Sequence, residues 1–409
     1  MKHILFTFCA AGCAAFAVAA VPRVSSVTYG QTSSHVVTVG YVLSGAPAIV
    51  TVDFLTNGVS VGAANFAEAV GDVNRVVQPG TRQLHWNPRE RLNGVEIPDG
   101  SLTVEVKAWN VDTPPDYMVV DLVADSVDRI CYYVCEDALP GGVTNAVYRR
   151  TKLAMRKIPA GGADFRMGSS PSGYDGSNDC SRVAAREIPR RVTLTNDFYL
   201  AVFATTRAQH GLLTGAAYDA DKADWPAPAS YDALRGTSVD WPSTGHAVGP
   251  ASNLQTWRTR TGIDFDLPTS AQWEYACRAG NSDTTFYQTP GMTFRQVMDA
   301  LRDYAWTKDD SERVFHPVGL KLPNPYGLYD LYGNIWEWCL DRTGGVTADP
   351  VTEPVGPTAD ETTEVNRVGR GGTYSHDIGC CRSAKVNPTA TDNASNAGYR
   401  LCCPVPLTF

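Results

Sequence analysis

Apolar and polar residues alternate in short segments along the first quarter of the chain. Four such segments are VVTVGYVL, AIVTVDFLT, RQLHW and SLTVEVKAW. Turn residues bound them, as in Thr56-Asn57-Gly58 and Pro98-Asp99-Gly100. Alternation places successive side chains on opposite faces of a strand, and several short strands at this spacing are typical of two packed antiparallel sheets. The pattern predicts an all-β sandwich over residues 22–112.

The pattern changes twice after this sandwich, which we expect to be of the immunoglobulin or fibronectin type. Residues 113–155 are interpreted as a linker, because they begin with Pro114-Pro115 and carry the turn sequence Leu139-Pro140-Gly141-Gly142. From about residue 156 to residue 409 the chain is rich in Trp, Gly, Asn and polar loops. We therefore predict a second domain of α+β class with little regular secondary structure.

Two helices are predicted in the second domain. Thr269 and Gln272 have the Thr-x-x-Gln spacing of a capping box, which marks a helix start, and Gly280 is a plausible stop. A second helical pattern covers Phe294 to Trp306.

The N-terminus has the features of a secretory signal peptide. A basic residue, Lys2, precedes an apolar run from Ile4 to Val18, and small residues follow at Ala19 and Ala20. We interpret residues 1–20 as this signal, so that the mature protein is secreted, periplasmic or held at the cell surface. A lipoprotein signal ending at Cys13 is the weaker alternative. No integral membrane segment is expected after signal removal, because no later apolar run approaches about 18 residues.

Composition and charge exclude several classes of protein. The 409 residues include 35 basic and 43 acidic side chains, which give a net charge of -8. A nucleic-acid partner is not expected, because such proteins present a basic face to the phosphates. The 36 glycines and 26 prolines favour short strands and loops over helix bundles.

Nine of the eleven cysteines remain after removal of the predicted signal, and export would allow them to form disulfides. The odd number leaves at least one of them unpaired or paired between chains, and spacing alone does not give the connectivity. Cys131 and Cys135 form a CxxxC pair without a nearby histidine, so a disulfide or buried thiols are favoured there over a metal.

Six strings in the second domain resemble, in order, the formylglycine-generating enzyme family, also called the sulfatase-modifying factor family. They are IPAGGADFRMGS, EIPRRVTLTNDFYLAVFATTRAQ, DFDLPTSAQWEYACRAG, NPYGLYDLYGNIWEWCLD, RVGRGGTY and the pair CRSAK with NAGYRL. The resemblance implies a compact, irregular domain related to the C-type lectin fold. Arg382 and Arg400, which lie in the last pair, are interpreted as structural, because a buried guanidinium can tie several carbonyls together.

The resemblance also implies a structural calcium ion. Asp330, Gly333, Ile335 and Glu337 occupy the positions that bind calcium in the family, through two side-chain oxygens and two backbone carbonyls. Hard oxygen ligands of this kind are what calcium prefers. The alternative is that Asp330 and Glu337 cap turns or accept from Trp indoles.

The cysteines expected of a catalytic member are altered. Aerobic members of the family bind copper(I) between two cysteines after the RGGTY-like string; here those positions hold His376 and Cys381. The adjacent Cys380 and Cys381 would carry catalysis only if the enzyme alternative holds, because neighbours on an extended chain point to opposite faces. The resemblance instead implies a disulfide between Cys277 and Cys381.

Two functions from different classes follow from these observations. The first is a secreted, non-catalytic recognition module that binds an extracellular glycan, peptide or surface protein through its last loops. Its candidate ligand-binding residues are Tyr374, Ser375, His376, Asp377, Asn387 and Asp392. The alternative is a copper- and oxygen-dependent oxidase that converts a sulfatase cysteine to formylglycine; a purely structural surface protein is a third possibility.

Overall fold

The computed structural model describes residues 20–31, 36–88, 100–124, 129–169, 185–237, 239–280 and 294–407. The regular secondary structure of these residues consists of sheets and a few short helices, which confirms the predicted α+β class. The predicted signal peptide lies outside the described residues except for Ala20. Within the described part of the chain, no helix is long and apolar enough to cross a membrane.

Two four-stranded sheets form the first domain, with strand orders β1-β2-β7-β5 and β4-β3-β6 and with β8 paired to β3. The strands are β1 (Arg23–Gln31), β2 (Val37–Ser44), β3 (Ala48–Thr56), β4 (Val59–Ser60), β5 (Val70–Gly71), β6 (Arg75–Val77), β7 (Gly80–Trp86) and β8 (Leu102–Asn110). The four predicted strands are confirmed as β2, β3, β7 and β8. In β2 the buried side chains are Val37, Val39, Tyr41 and Leu43, so the alternation in the sequence does mark the face that packs into the sandwich core.

Four further sheets belong to the second domain. Their strands are β9 (Tyr117–Asp121), β10 (Ile130–Tyr133), β11 (Lys152–Ile158), β12 (Ala163–Met167), β13 (Arg190–Leu194), β14 (Phe198–Ala201), β15 (Ala305–Trp306), β16 (Tyr332–Gly333), β17 (Trp336–Arg342), β18 (Val351–Thr352), β19 (Arg367–Arg370), β20 (Asn387–Thr389), β21 (Ala397–Gly398) and β22 (Cys402–Pro404). The sheet orders are β10-β9-β11-β14-β22, β12-β13-β18, β15-β16 and β20-β19-β17-β21.

The helices among the described residues are short. They are α1 (Ala63–Phe66), α2 (Val147–Arg150), α3 (Arg207–Thr214), α4 (Tyr231–Arg235), α5 (Asn253–Thr261), α6 (Ser270–Cys277) and α7 (Phe294–Leu301). The capping box predicted at Thr269 and Gln272 is present at the start of α6. The other predicted helix is shorter than expected, because Ala305 and Trp306 leave the helix and pair with Tyr332 and Gly333 as a parallel strand.

The segment interpreted as a linker differs from that expectation, because it supplies two strands of the five-stranded sheet. β9 pairs with β10 on one side and with β11 on the other. Met118 and Val120 are fully buried in the core beneath this sheet. Pro114 and Pro115 therefore mark the entry to the second domain and not an extended connection.

The sandwich packs directly on the second domain. The Tyr132 backbone N–H in β10 donates to the carbonyl of Asn74 in the sandwich, at 2.7 Å. Ile49 of β3 is buried in the same apolar core as Met118 and Leu122. These contacts join the two domains at the edge of the five-stranded sheet.

Candidate functional site

A buried ion pair lies beneath the loops that carry the candidate site. Both carboxylate oxygens of Glu337 accept from the Arg400 guanidinium, with a shortest distance of 2.7 Å, and the indole N–H of Trp273 also donates to Glu337 at 2.7 Å. Arg400 donates its remaining hydrogens to the carbonyls of Ala201, Val202 and Tyr329. All the donors of a fully buried guanidinium are thus satisfied, which agrees with the structural role expected for Arg400.

This pairing bears on the expected calcium ligands. Asp330 is buried, and its backbone is in the left-handed region at φ 57°. One of its carboxylate oxygens accepts from the Gly319 N–H at 2.7 Å. The other oxygen accepts no hydrogen bond from any described residue. That free oxygen suits a cation. Glu337 does not, because the positive charge of Arg400 already neutralises it.

One of the two backbone carbonyls of the expected set is already hydrogen-bonded. The Gly333 carbonyl accepts from the Ile335 N–H at 2.8 Å, so it is also engaged within the protein. Burial raises the pKa of Asp330 to about 6, with smaller opposing effects from the Gly319 N–H and from Arg400. As placed, the set offers one unpaired anionic oxygen, at Asp330, whereas calcium takes six to eight oxygen ligands, so these residues do not fit the ion.

The loop that follows β19 is held to the domain through backbone contacts. The Tyr374 N–H donates to the Asn334 carbonyl at 3.0 Å, and the Ser311 hydroxyl donates to the Tyr374 carbonyl at 2.7 Å. The half-buried Tyr374 ring meets Phe315 edge-on, with 4.6 Å between ring centres. These contacts fix Tyr374 at the protein surface while leaving part of the ring accessible.

His376 lies close to Tyr374 in the same loop. Its ring packs edge-on against the buried Trp336, 5.5 Å between centres, and its Nδ1 is buried without a hydrogen-bond partner among the described residues. Burial lowers the pKa of His376, with Asp377 opposing that effect. The neutral imidazole thus keeps a buried nitrogen whose hydrogen-bonding capacity no described residue uses.

Asp377 completes this cluster. Its carboxylate forms an ion pair with Lys308, and the Lys308 N–H donates to the His376 carbonyl at 3.0 Å. Ser375, which lies between Tyr374 and His376 in the sequence, is half-buried. Four of the predicted ligand-binding residues, Tyr374 to Asp377, thus form one short surface segment.

Asn387 and Asp392 belong to different elements. Asn387 begins β20 opposite Gly369, and its side-chain amide donates to Thr389 at 3.0 Å. Asp392 is exposed in the turn after β20, where its neighbour Thr391 donates to Asp232. Among the described residues, neither Asn387 nor Asp392 forms a hydrogen bond or an ion pair with the 374–377 segment.

The cysteine predictions require correction. Cys277 and Cys381 are both free thiols, so the expected disulfide between them is absent. The Cys381 sulfur instead faces the Asp377 carbonyl at 3.9 Å, and Cys277 ends α6, where the Tyr332 hydroxyl donates to its carbonyl. Cys380 is the disulfide-bonded neighbour, and Cys402 and Cys403 are free.

The same facts bear on copper. A disulfide-bonded Cys380 offers no thiolate, and burial strongly raises the pKa of Cys381, which disfavours its thiolate form. Copper(I) prefers two thiolates in near-linear geometry. The residues present therefore do not fit the copper centre of the oxidase alternative.

Sequence reasoning missed several residues that surround the 374–377 segment. They are Arg207, Lys308, Phe315 and Trp336. Each comes from a distant part of the chain, and none stands in a spacing that signals a binding site. Arg207 does lie inside one of the family strings, but nothing in that string marks its guanidinium as exposed to a ligand.

Comparison with known proteins identifies the second domain. Residues 145–404 match the family model described as the sulfatase-modifying factor enzyme 1-like domain. The chain belongs to this family. The matched region begins within the segment interpreted as a linker and contains all the candidate site residues, so the family resemblance seen in the sequence strings is confirmed.

The curated relatives differ in the fraction of their length that aligns with this chain. Formylglycine-generating enzyme of Mus musculus is 34% identical over 144 residues, 33% of this chain and 38% of that protein. The Thermomonospora curvata enzyme of the same name is 26% identical over 302 residues, 63% of this chain and 95% of that one. The bovine protein named inactive C-alpha-formylglycine-generating enzyme 2 is 32% identical over 127 residues, 30% of this chain and 40% of that protein.

Among solved structures, Treponema denticola variable protein 1 is 20% identical, with a TM-score of 0.45, and the match covers 62% of this chain and 95% of that one. The chain spans 38% of the length of the mouse enzyme and 48% of the bovine formylglycine-generating enzyme.

Proposed function

We propose that this protein is an exported, non-catalytic recognition module that binds an extracellular peptide, glycan or surface protein through the loop after β19. The observation that carries the proposal is the state of the cysteines. Cys380 is disulfide-bonded and Cys381 is a buried thiol, while His376 takes the place of the first catalytic cysteine. A scaffold that keeps its shape but lacks a thiolate pair is suited to binding and not to copper-dependent oxidation.

The surface segment gives the proposal its positive support. Tyr374 presents an accessible aromatic ring held by Phe315, and His376 and Asp377 add a neutral imidazole and a carboxylate beside it. Aromatic rings with adaptable polar neighbours are typical of recognition loops held on a rigid scaffold. That one matched relative is itself named inactive is consistent with a binding role.

The decisive experiment measures copper binding and oxidation in the same preparation. The full chain is purified without reductant, titrated with copper(I) against a competing chelator, and incubated under oxygen with a peptide that carries CxPxR. We expect no stoichiometric copper and no aldehyde by mass spectrometry. Equimolar copper that is lost in Cys381→Ser, together with aldehyde formation, would establish the oxidase and refute the proposal.

A further inference from the structure

A row of three aromatic rings and one guanidinium runs from Tyr374 of the 374–377 segment; the Tyr374 and Trp225 rings are half-buried, and the Phe315 ring is buried. Tyr374 packs on Phe315, and the guanidinium carbon of Arg207 lies 5.9 Å from the centre of the Phe315 ring. The same carbon lies 5.4 Å from the centre of Trp225. We call these four residues the Arg207 row.

Arg207 is held in place by the local structure. It is the first residue of α3, directly after the capping residue Thr206. Its backbone N–H donates to the Trp225 carbonyl at 2.8 Å, and its side-chain Nε is 3.4 Å from the Pro226 carbonyl. The two rings flank the planar group, so its terminal nitrogens are positioned before any ligand arrives.

Two lysines near the row are paired with carboxylates, whereas Arg207 pairs with none in the described part of the chain. Lys222 pairs with Asp219 at 3.3 Å, and Lys308 pairs with Asp377. No ion pair to Arg207 occurs among the described residues, and its terminal nitrogens have no acceptor there. Partial burial lowers the pKa of Arg207, with Asp219 opposing that effect, so the guanidinium has lost some hydration without gaining a carboxylate.

Exposed aliphatic side chains lie on the loop that carries Phe315. Val314 and Leu320 are 42% and 57% exposed on the loop that carries Phe315. The Val318 N–H of this loop donates to the Asp224 carbonyl at 2.9 Å, which joins the loop to the segment with Trp225. The loop that carries Phe315 therefore exposes two aliphatic side chains.

We propose that the Arg207 row binds a carboxylate of an extended peptide whose neighbouring apolar side chains rest on the accessible parts of Tyr374 and Trp225 and on the exposed aliphatic side chains of the 314–320 loop. The planar fork of a guanidinium matches a carboxylate through two parallel hydrogen bonds. Aliphatic contact surface favours a peptide over a glycan, whose hydroxyls it would leave unpaired. The inference rests on the proposed recognition function and names its ligand chemistry.

The test uses the full chain and fluorescent nonapeptides with a central Glu between apolar residues. Matched peptides carry Gln at the centre, and a further pair differs in a free or an amidated C-terminus. We expect the Glu peptides to bind at least tenfold more tightly than the Gln peptides. A preference that follows the free C-terminus instead would place the same carboxylate contact at a chain end.

Variants assign the contact to Arg207. Arg207→Gln should weaken Glu-peptide binding at least tenfold and leave Gln-peptide binding unchanged, and Arg207→Lys should give an intermediate loss because it keeps the charge without the fork. Arg191→Gln, which removes an exposed arginine paired with Asp164 elsewhere, serves as the control. Thermal melting confirms that each variant is folded.

Three results would overturn the inference: equal binding of Glu and Gln peptides without a preference for a free C-terminus, wild-type affinity in Arg207→Gln, or binding of carboxylated glycans on an array without peptide binding. Either of the first two results, if the peptides still bind, would leave the proposed recognition function intact. Binding of carboxylated glycans would also leave it intact. Aldehyde formation in the copper experiment would instead refute that function. The two failures are therefore distinguishable.

Discussion

Glu337→Gln tests whether a buried arginine, and not a calcium ion, is the counter-charge of Glu337. The substitution keeps the size of the side chain and one oxygen that can accept from Trp273, but it removes the negative charge opposite Arg400. Both residues are fully buried. Arg400 would keep its three carbonyl partners and lose its only charged one among the described residues.

The expected loss follows from that burial. Removing one partner of a buried ion pair costs about 3–5 kcal/mol, because the remaining charge is left uncompensated in a medium of low polarity. With a urea dependence of about 3 kcal/mol per molar, the unfolding midpoint would fall by about 1–1.7 M. Tryptophan fluorescence follows the second domain well, since seven of the nine tryptophans belong to it.

The matched control is Glu364→Gln, the same change in a carboxylate that pairs with Arg186 at 2.7 Å but is about one third exposed. Exposed pairs contribute about 1 kcal/mol or less, so its midpoint should stay close to that of the wild type. The reasoning is refuted if Glu337→Gln unfolds within about 1 kcal/mol of the wild type, or if calcium raises the wild-type midpoint and has no effect on the variant.

Three further predictions follow. Burial raises the pKa of Asp341 to about 6 from 3.8, so the native state binds this proton more tightly than the unfolded chain and the carboxyl costs stability above pH 6. The stability of Asp341→Asn relative to the wild type should therefore rise by about 1.4 kcal/mol between pH 5 and pH 8 in urea titrations, whereas a flat difference contradicts the assignment. Alkylation in denaturant without reductant should label both Cys277 and Cys381, because both are free, and a disulfide-linked peptide containing the two would show otherwise. Addition of EDTA should leave the melting temperature unchanged, because Glu337 is already neutralised by Arg400; a fall that calcium reverses would count against this.

Local patterns in the sequence predicted the elements whose causes are local. The alternation in Val37 to Leu43 fixes which face of β2 is buried. The Thr269 side chain caps α6 by accepting from the backbone N–H of Gln272, three residues further along the chain. The 113–155 segment was misassigned because its prolines and glycines suggest a linker. Its strand β9 is apolar without alternation, as expected when both faces of a strand are covered, and it pairs with β10 and β11, the next two strands along the chain.

The candidate site was predictable only where it is continuous in sequence. Tyr374 to Asp377 follow a family string directly, so their shared position could be read from the chain. Phe315 and Arg207 approach them from 59 and 167 residues away, through loops whose packing leaves no periodic signal. The disulfide expectation failed for a related reason, since the orientation of Cys381 depends on the tight turn after Asp377.

Buried arginines explain how a domain with so little regular secondary structure can hold the loop after β19 in place. Arg400 ties the strand carrying Glu337 to three backbone carbonyls, and Arg370 bonds Ser270, the Ser383 carbonyl and Glu274 from the opposite side. Hydrogen bonds of these buried arginines stabilise the loops from below, and the described surface side chains take no part in them. Substitutions in the half-buried 374–377 segment should therefore change the proposed binding with little change in stability.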